Sequence, residues 1–271
     1  MSHILLDQDA DLVDAYRRNG VVHVPGLLTA EEIETIKVAF TDQVERDNSI
    51  GHDDGVPVDD PLARYPRFVQ PHRRPDLEVG RLARSWMLDP RLMQRVQRLL
   101  GPTFAAQSMF YFKPPTARGQ ALHQDNMFLQ AHPETCLAAW IAVDDCDAEN
   151  GGLMVVPGSH VYDLECPEPA DLNESFSAVQ VSIPPGLSTV QTEMRAGDVL
   201  FFHGSTVHGS LANSSSDRFR RSLIFHYIPQ ASVEIATFYQ PLLTPGGDEV
   251  WIDESAAGGP CGVGWGMAEG H

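Results

Sequence analysis

Along the first hundred positions apolar residues recur every three or four places, whereas beyond about residue 104 they gather into short runs parted by Gly, Pro, Asn and Asp. The first pattern is that of helices turning one face to a core, the second that of strands. Leu12, Val13 and Tyr16 predict a short helix stopped at Asn19-Gly20, and Val21, Val22 and Val24 predict a strand ended by Pro25. Thr29 followed by Glu32 forms a capping box, and Ile33, Ile36 and Phe40 continue it at helical spacing, so residues 29 to about 47 should be an amphipathic helix. Another helix should begin at Asp89-Pro90, run through Leu92, Val96, Leu99 and Leu100, and end at Gly101. Strands are expected at Met109–Phe112, Cys136–Val143, Leu153–Val156, Val199–Phe202 and Ser222–Ile228. Many short strands joined by such turns favour a barrel or double-sheet jelly roll with the helices over one sheet.

Two stretches fit neither pattern. Residues 50 to 75 are polar and Pro-rich, as a lid or mobile loop would be, and the tail after Pro245 is Gly-rich and expected to be irregular. Between residues 61 and 84, Arg64, Arg67, Arg73, Arg74, Arg81 and Arg84 face only Asp76 and Glu78. They are either a solvated face or part of a lid holding a polar or anionic group of a ligand.

With 19 Lys and Arg against 37 Asp and Glu, the net charge of −18 repels phosphate backbones and anionic lipid, so nucleic acid and membrane surfaces are not expected partners. No apolar run approaches the roughly 20 residues that cross a bilayer. Met1 to Asp11 is acidic where a secretory leader would carry Lys or Arg, and a cytoplasmic protein is expected. Cys136, Cys146, Cys166 and Cys261 form no C-x-x-C pair and are expected to be reduced structural residues.

Most of the eleven histidines need no chemical role. His123 and Asp125 stand apart: they lie two positions apart just after a predicted strand, so an imidazole and a carboxylate can turn toward one cation. A third ligand is offered by the segment 197–210, which carries His203 and His208. Two histidines and one carboxylate on one side of a metal leave three positions open, the ligand set of non-haem Fe(II) oxygenases. A zinc hydrolase could use the same ligands, but no H-E-x-x-H pairing accompanies them.

The surroundings of this constellation are more specific. Lys113-Pro114-Pro115, His123-Gln124-Asp125, Trp140, Asn150-Gly151-Gly152-Leu153, Pro157-Gly158-Ser159-His160, Gly197-Asp198, His208-Gly209-Ser210, Asn213 and Arg220 occur in that order. In this the chain resembles the phytanoyl-CoA dioxygenase family of Fe(II)/2-oxoglutarate oxygenases over roughly residues 20 to 230. The resemblance implies a mainly β fold with covering helices, a double-stranded β-helix of the jelly-roll, cupin-like kind. It implies one oxygenase domain over residues 1–271, with 1–103 as mostly helical support and lid region, 104–230 as the core and 231–271 as a C-terminal extension.

Carried over by motif, His123, Asp125 and His208 match the iron ligands, which leaves His203 on the strand entering the last motif. An arginine about a dozen residues after the second histidine binds the distal carboxylate of 2-oxoglutarate in the family. Arg218, Arg220 and Arg221 compete for that role; counting back from Tyr227 favours Arg220, and strand alternation sends Arg221 to the opposite face. The resemblance also sets Met109, Gln124 and Trp140 near the cosubstrate. The Asn150-Gly151-Gly152 and Pro157-Gly158 turns read as shaping the barrel, and His160 and His226, like His23, His52, His72 and His132, as ordinary histidines. The implied activity uses Fe(II), 2-oxoglutarate and O2 to oxidise an unactivated C–H bond of a small molecule, with a secondary metabolite among the candidates. Hydroxylation is the default outcome, with desaturation, epoxidation or cyclisation as alternatives. A halogenase of this fold would have a small residue at Asp125, and a non-enzymatic metal-binding barrel would have no use for Arg220.

Overall fold

A computed structural model describes residues 12–49, 51, 58–133 and 135–255. Its helices are α1 (Leu12–Asn19), α2 (Ala30–Arg46), α3 (Pro61–Arg64), α4 (Glu78–Met87), α5 (Pro90–Leu100) and α6 (Asn126–Leu129). Its strands are β1 (Val21–Val24), β2 (Phe68–Val69), β3 (Thr103–Tyr111), β4 (Gln120–His123), β5 (Leu137–Ala142), β6 (Leu153–Val155), β7 (Glu168–Pro169) and β8 (Val179–Gln180). They continue with β9 (Val190–Gln191), β10 (Val199–His203), β11 (His208–Ser210), β12 (Ser222–Pro229), β13 (Glu234–Ile235), β14 (Leu242–Leu243), β15 (Glu249–Val250) and β16 (Asp253–Glu254).

Local chemistry explains the helix ends. The capping box forms, with Glu32 N–H donating to Thr29 Oγ1 at 3.3 Å and Thr29 N–H to Glu32 Oε2 at 2.8 Å. Asp89 caps α5 through Arg91 N–H at 2.9 Å, and Gly101 ends it at φ +83°. Helix α4 was not expected: its N-cap is Leu77, which makes no side-chain cap, so its start leaves no polar signature.

Among the described residues the strands form a large sheet ordered β1-β10-β5-β12-β3-β14-β15, with β2 also on β3, and a smaller sheet ordered β4-β11-β6-β9. Apart from the parallel β13–β16 pair, the strand pairings are antiparallel. The large sheet is buried on both faces. From β12, Leu223, Phe225 and Tyr227 join the helical core with Ile36, Phe40 and Met87, while Ile224 turns to the core shared with the small sheet. The other central strands divide the same way: Phe110 opposes Met109, Ile141 opposes Trp140, and Phe201 opposes Phe202. Double burial is why these strands read as continuous apolar runs instead of alternating ones. On the helical face Phe40 of α2 stacks on Phe110 with ring centroids 3.9 Å apart, and Tyr227 donates to Met87 O at 2.8 Å.

Several expectations need correction. The first hundred residues do more than support the barrel: β1, expected as a strand, and β2, which was not expected, both join the large sheet. The described part of the supposed loop, residues 58–75, holds α3, β2 and a 3-10 turn at Pro71–Arg73, because Phe68 and Val69 pair with Phe110 and Met109. The tail holds β15 and β16 before residue 255, while residues 50, 52–57 and 256–271 lie outside the described residues. Cys136 and Cys146 are buried free thiols as expected, but Cys166 is disulfide-bonded.

Candidate active site

The small sheet assembles the metal-binding side chains. Strands β4 and β11 pair with His123 directly opposite His208, which sets their rings 4.1 Å apart. Glycine is needed next door, because a Cβ on Gly209 would stand 2.7 Å from Gln120 O. Asp125 follows β4 at the N-cap of α6. One donor atom from each of His123, Asp125 and His208 lies within 4.8 Å of the others, and all three residues are buried. Asp125 Oδ1 is 3.4 Å from His208 Nε2 and 3.7 Å from His123 Nε2.

This donor set fits a divalent transition metal. His123 Nδ1 bonds to Ala121 O at 2.8 Å and His208 Nδ1 to Thr206 O at 2.9 Å. Both carbonyls can only accept, so each Nδ1 carries a proton and Nε2 is the ring atom turned to the shared centre. Burial opposes ionisation of Asp125, but the flanking His208 and His226 outweigh it and hold the carboxyl well below its usual range.

Beside the triad is a narrow cavity of about 30 Å³, lined by residues that include Met109, Tyr111, Gln120, Trp140, Arg220, Ile224 and His226. Arg220 is 3% exposed, and its guanidinium lies 5.7 Å from the Trp140 ring centroid. Its Nε donates to Gly151 O at 3.2 Å and its Nη1 to Ser222 Oγ at 3.0 Å. The same Gly151 carbonyl accepts from Lys113 Nζ at 3.3 Å, and Lys113 also donates to Ser210 Oγ and Leu211 O, both at 2.7 Å. Among the described residues neither cation has a carboxylate in ion-pair range. Burial, then the charge of Arg220, pushes the Lys113 ammonium well below its normal pKa, and burial also lowers that of Arg220. A buried arginine that lines the cavity beside a metal triad and is held only by neutral acceptors fits a dicarboxylate such as 2-oxoglutarate.

The structure brings together His123, Asp125, His208, Arg220, Met109 and Trp140 around one cavity. Arg221 faces the other way, with Nε and Nη2 on Asp144 at 2.8 and 2.9 Å. Gln124 does not line the cavity: its amide donates to Ser205 O at 2.9 Å and accepts from Glu165 N–H at 2.8 Å, tying two loops together. His203 is outside the triad, with Nδ1 accepting from Ser205 N–H at 3.1 Å and its ring 5.5 Å from that of His160. Sequence reasoning missed the part of Gly151, whose carbonyl orients both cations, and of His226, whose Nε2 is 3.1 Å from Asp125 Oδ2. Most of the arginine-rich stretch is committed elsewhere. Arg74 pairs with Asp76 on the surface, Arg81 caps carbonyls of residues 75 and 76, and Arg84 donates to Gly247 O. Arg67 alone of the six lies against the cavity wall, 5.7 Å from the Tyr111 ring centroid and 4.8 Å from that of Phe176.

Burial lowers His203 to about 4 and His72 to about 3. Both stay neutral in the folded chain but take up a proton near pH 6.5 once unfolded, so the unfolded state binds more protons below that pH. Stability should fall as pH drops from 6.5 toward 4, by up to about 1.4 kcal/mol per pH unit for each histidine. Urea unfolding of the metal-free protein at pH 7 and pH 5 checks this. His203→Asn should lose one histidine's share of the slope, and an unchanged slope would refute the assignment.

A double-stranded β-helix with a buried two-histidine, one-carboxylate centre is the class of protein that this fold and site define. The family profile for phytanoyl-CoA dioxygenase (PhyH) matches residues 16–222, and the chain belongs to that family. It is 27% identical over 237 residues to the peroxisomal phytanoyl-CoA dioxygenase of Mus musculus, an alignment covering 78% of this chain and 66% of that protein. It is 34% identical over 148 residues to phytanoyl-CoA dioxygenase domain-containing protein 1 of Bos taurus, covering 51% and 50% of the two chains. Among solved structures it is similar to the non-haem alpha-ketoglutarate-dependent carbocyclase SnoK from nogalamycin biosynthesis, with 27% identity, TM-score 0.66 and coverage of 84% and 86%. It is also similar to the epimerase SnoN in complex with Fe3+, alpha-ketoglutarate and nogalamycin RO, with 25% identity, TM-score 0.67 and coverage of 92% and 95%.

Proposed function

We propose that the chain is an Fe(II)- and 2-oxoglutarate-dependent dioxygenase that oxidises, and by default hydroxylates, an unactivated C–H bond of a small organic molecule. The observation that carries this reading is the buried triad of His123, Asp125 and His208 beside the buried guanidinium of Arg220, which lines the same cavity and has no carboxylate in ion-pair range among the described residues. When bound, Fe(II) supplies O2 activation coupled to oxidative decarboxylation of 2-oxoglutarate to succinate and CO2, with hydrogen-atom removal from the substrate. The rest is the work of this chain's residues. His123 and His208 hold their Nε2 atoms on one centre through the carbonyls of Ala121 and Thr206. Arg220 would neutralise and orient the distal carboxylate, with Gly151 O fixing the angle of its guanidinium. The apolar walls from Met109, Trp140, Phe202 and Ile224 exclude water.

On this reading residues 1–271 act as one oxygenase domain and work in the cytoplasm; among the described residues no helix is long and apolar enough to cross a membrane. The substrate enters past Tyr111 and Phe176, where Arg67 lies over both rings and Arg118 bridges Asp60 at 2.7 Å to Leu172 O at 2.8 Å. A second outcome, ring closure or epimerisation, is favoured by one finding: the similar structures include a carbocyclase and an epimerase. Candidate small molecules, secondary metabolites included, are to be screened for stimulation of succinate formation, with the product analysed by mass spectrometry. Gain of one oxygen atom marks hydroxylation or alkene epoxidation, loss of two hydrogens marks desaturation or ring closure, and an unchanged mass marks epimerisation. Arg67→Ala should raise KM for the stimulating compound without altering succinate formation in its absence. Unchanged KM would remove Arg67 from the entrance.

A further inference from the structure

Asp125 uses its two oxygens differently. Oδ1 faces the Nε2 atoms of His123 and His208, while Oδ2 is 3.1 Å from His226 Nε2. His226 is 1% exposed and sits on β12, six residues after Arg220, so strand alternation turns both side chains into the cavity. On that face the nearer residues are Ser222 and Ile224, and an apolar side chain would pack at His226 without burying a polar group. Instead, among the described residues, the ring has one nitrogen on Asp125 and the other, Nδ1, buried with no hydrogen-bond partner. Only the carboxylate contact offsets the burial of that imidazole. The backbone also adjusts here: opposite β3 the pairing passes from His226↔Gln107 to Tyr227↔Ala105, a bulge of the kind that re-aims a side chain.

We propose that His226 is a positioning residue that holds Oδ2 of Asp125 away from the metal, so that Asp125 ligates through Oδ1 alone and a coordination position stays open for the cosubstrate. The inference rests on the proposed function. A carboxylate can bind a cation through one oxygen or two. Two imidazoles and one carboxylate oxygen leave three positions of an octahedron, and a second carboxylate oxygen would take one that bidentate 2-oxoglutarate and O2 require. An N–H donor directed at Oδ2 prevents the rotation that would present both oxygens, and contacts of this kind tune a metal site as its ligands do.

Three variants test it under anaerobic conditions: His226→Gln, whose amide still reaches Oδ2, His226→Asn, whose shorter amide does not, and His226→Leu, which has no donor. Fe(II) is titrated into each metal-free protein, then 2-oxoglutarate into each Fe(II)-loaded one, with heat as the signal and thermal unfolding as the control for folding. His226→Leu and His226→Asn should weaken 2-oxoglutarate binding by about 10- to 100-fold, the range for losing a contact that orients a metal ligand, and by a larger factor than they weaken Fe(II) binding, and His226→Gln should stay near the parent protein. Should His226→Leu not fold, the Gln and Asn pair decides. Parent-like 2-oxoglutarate affinity in His226→Asn, or equal weakening in His226→Gln, overturns the assignment. A parent protein that takes up neither Fe(II) nor 2-oxoglutarate would instead overturn the proposed function itself.

Discussion

His123→Ala, Asp125→Ala and His208→Ala should each lose bound iron and fall to background turnover while unfolding at nearly the parent temperature. Each removes one of three donors converging within 4.8 Å, and no other His, Cys, Asp or Glu among the described residues joins that cluster. The loss should exceed the roughly 10- to 100-fold cost of deleting a supporting contact around a metal ligand. His203→Ala is the control. Its ring bonds to Ser205 N–H and stands against His160 and Tyr16, so it should keep iron and activity. Iron content after anaerobic reconstitution separates the cases. Retention in His208→Ala with loss in His203→Ala would reverse the assignment.

The second large effect concerns Arg220. Arg220→Ala should raise the 2-oxoglutarate concentration needed for half-maximal turnover far more than it changes iron binding. Truncating one side of a buried, charge-assisted pair costs about 2 to 5 kcal/mol, on the order of 30- to 4,000-fold in affinity. Lys113 would remain, yet its ammonium is already spent on Ser210 Oγ, Leu211 O and Gly151 O and lacks the planar fork that matches a carboxylate. Arg221→Ala should leave the 2-oxoglutarate requirement alone, since Arg221 is paired with Asp144 on the other face of the strand. Steady-state kinetics in 2-oxoglutarate for both variants checks this. Reversed phenotypes would mean that the β12 register is one residue off.

Much of this site was legible because its residues are close in sequence or belong to ordered motifs. His-x-Asp put two ligands at the end of one strand, and Gly197-Asp198 with His208-Gly209-Ser210 identified the partner strand although β11 is only three residues long with no apolar run. Alternation in the extended segment leading into β12 separated Arg220 from Arg221. What stayed hidden depends on contacts between distant segments. His226 meets Asp125 across 101 positions, and a lone histidine in an apolar strand carries no local mark; its even spacing from Arg220 was the available signal. Gly151 read as a turn because its chemistry is that of a backbone carbonyl, invisible in a side-chain pattern. Gln124 sits between two ligands yet turns away, because the residue between two that share a face points to the other side, where its amide meets Ser205 O and Glu165 N–H. Helix α4 escaped for want of a polar cap, and the edge strand at Phe68–Val69 within the supposed loop escaped because Phe68 finds Phe40 and Phe110 as partners only in the folded chain.

The most direct measurement is succinate formation by purified protein supplied with Fe(II), ascorbate, 2-oxoglutarate and O2 in the absence of a prime substrate. Slow succinate formation is expected that stops when Fe(II), O2 or 2-oxoglutarate is withheld and is lost in Asp125→Ala. No succinate from a protein that binds Fe(II) at the triad, or equal amounts from Asp125→Ala, would contradict the account.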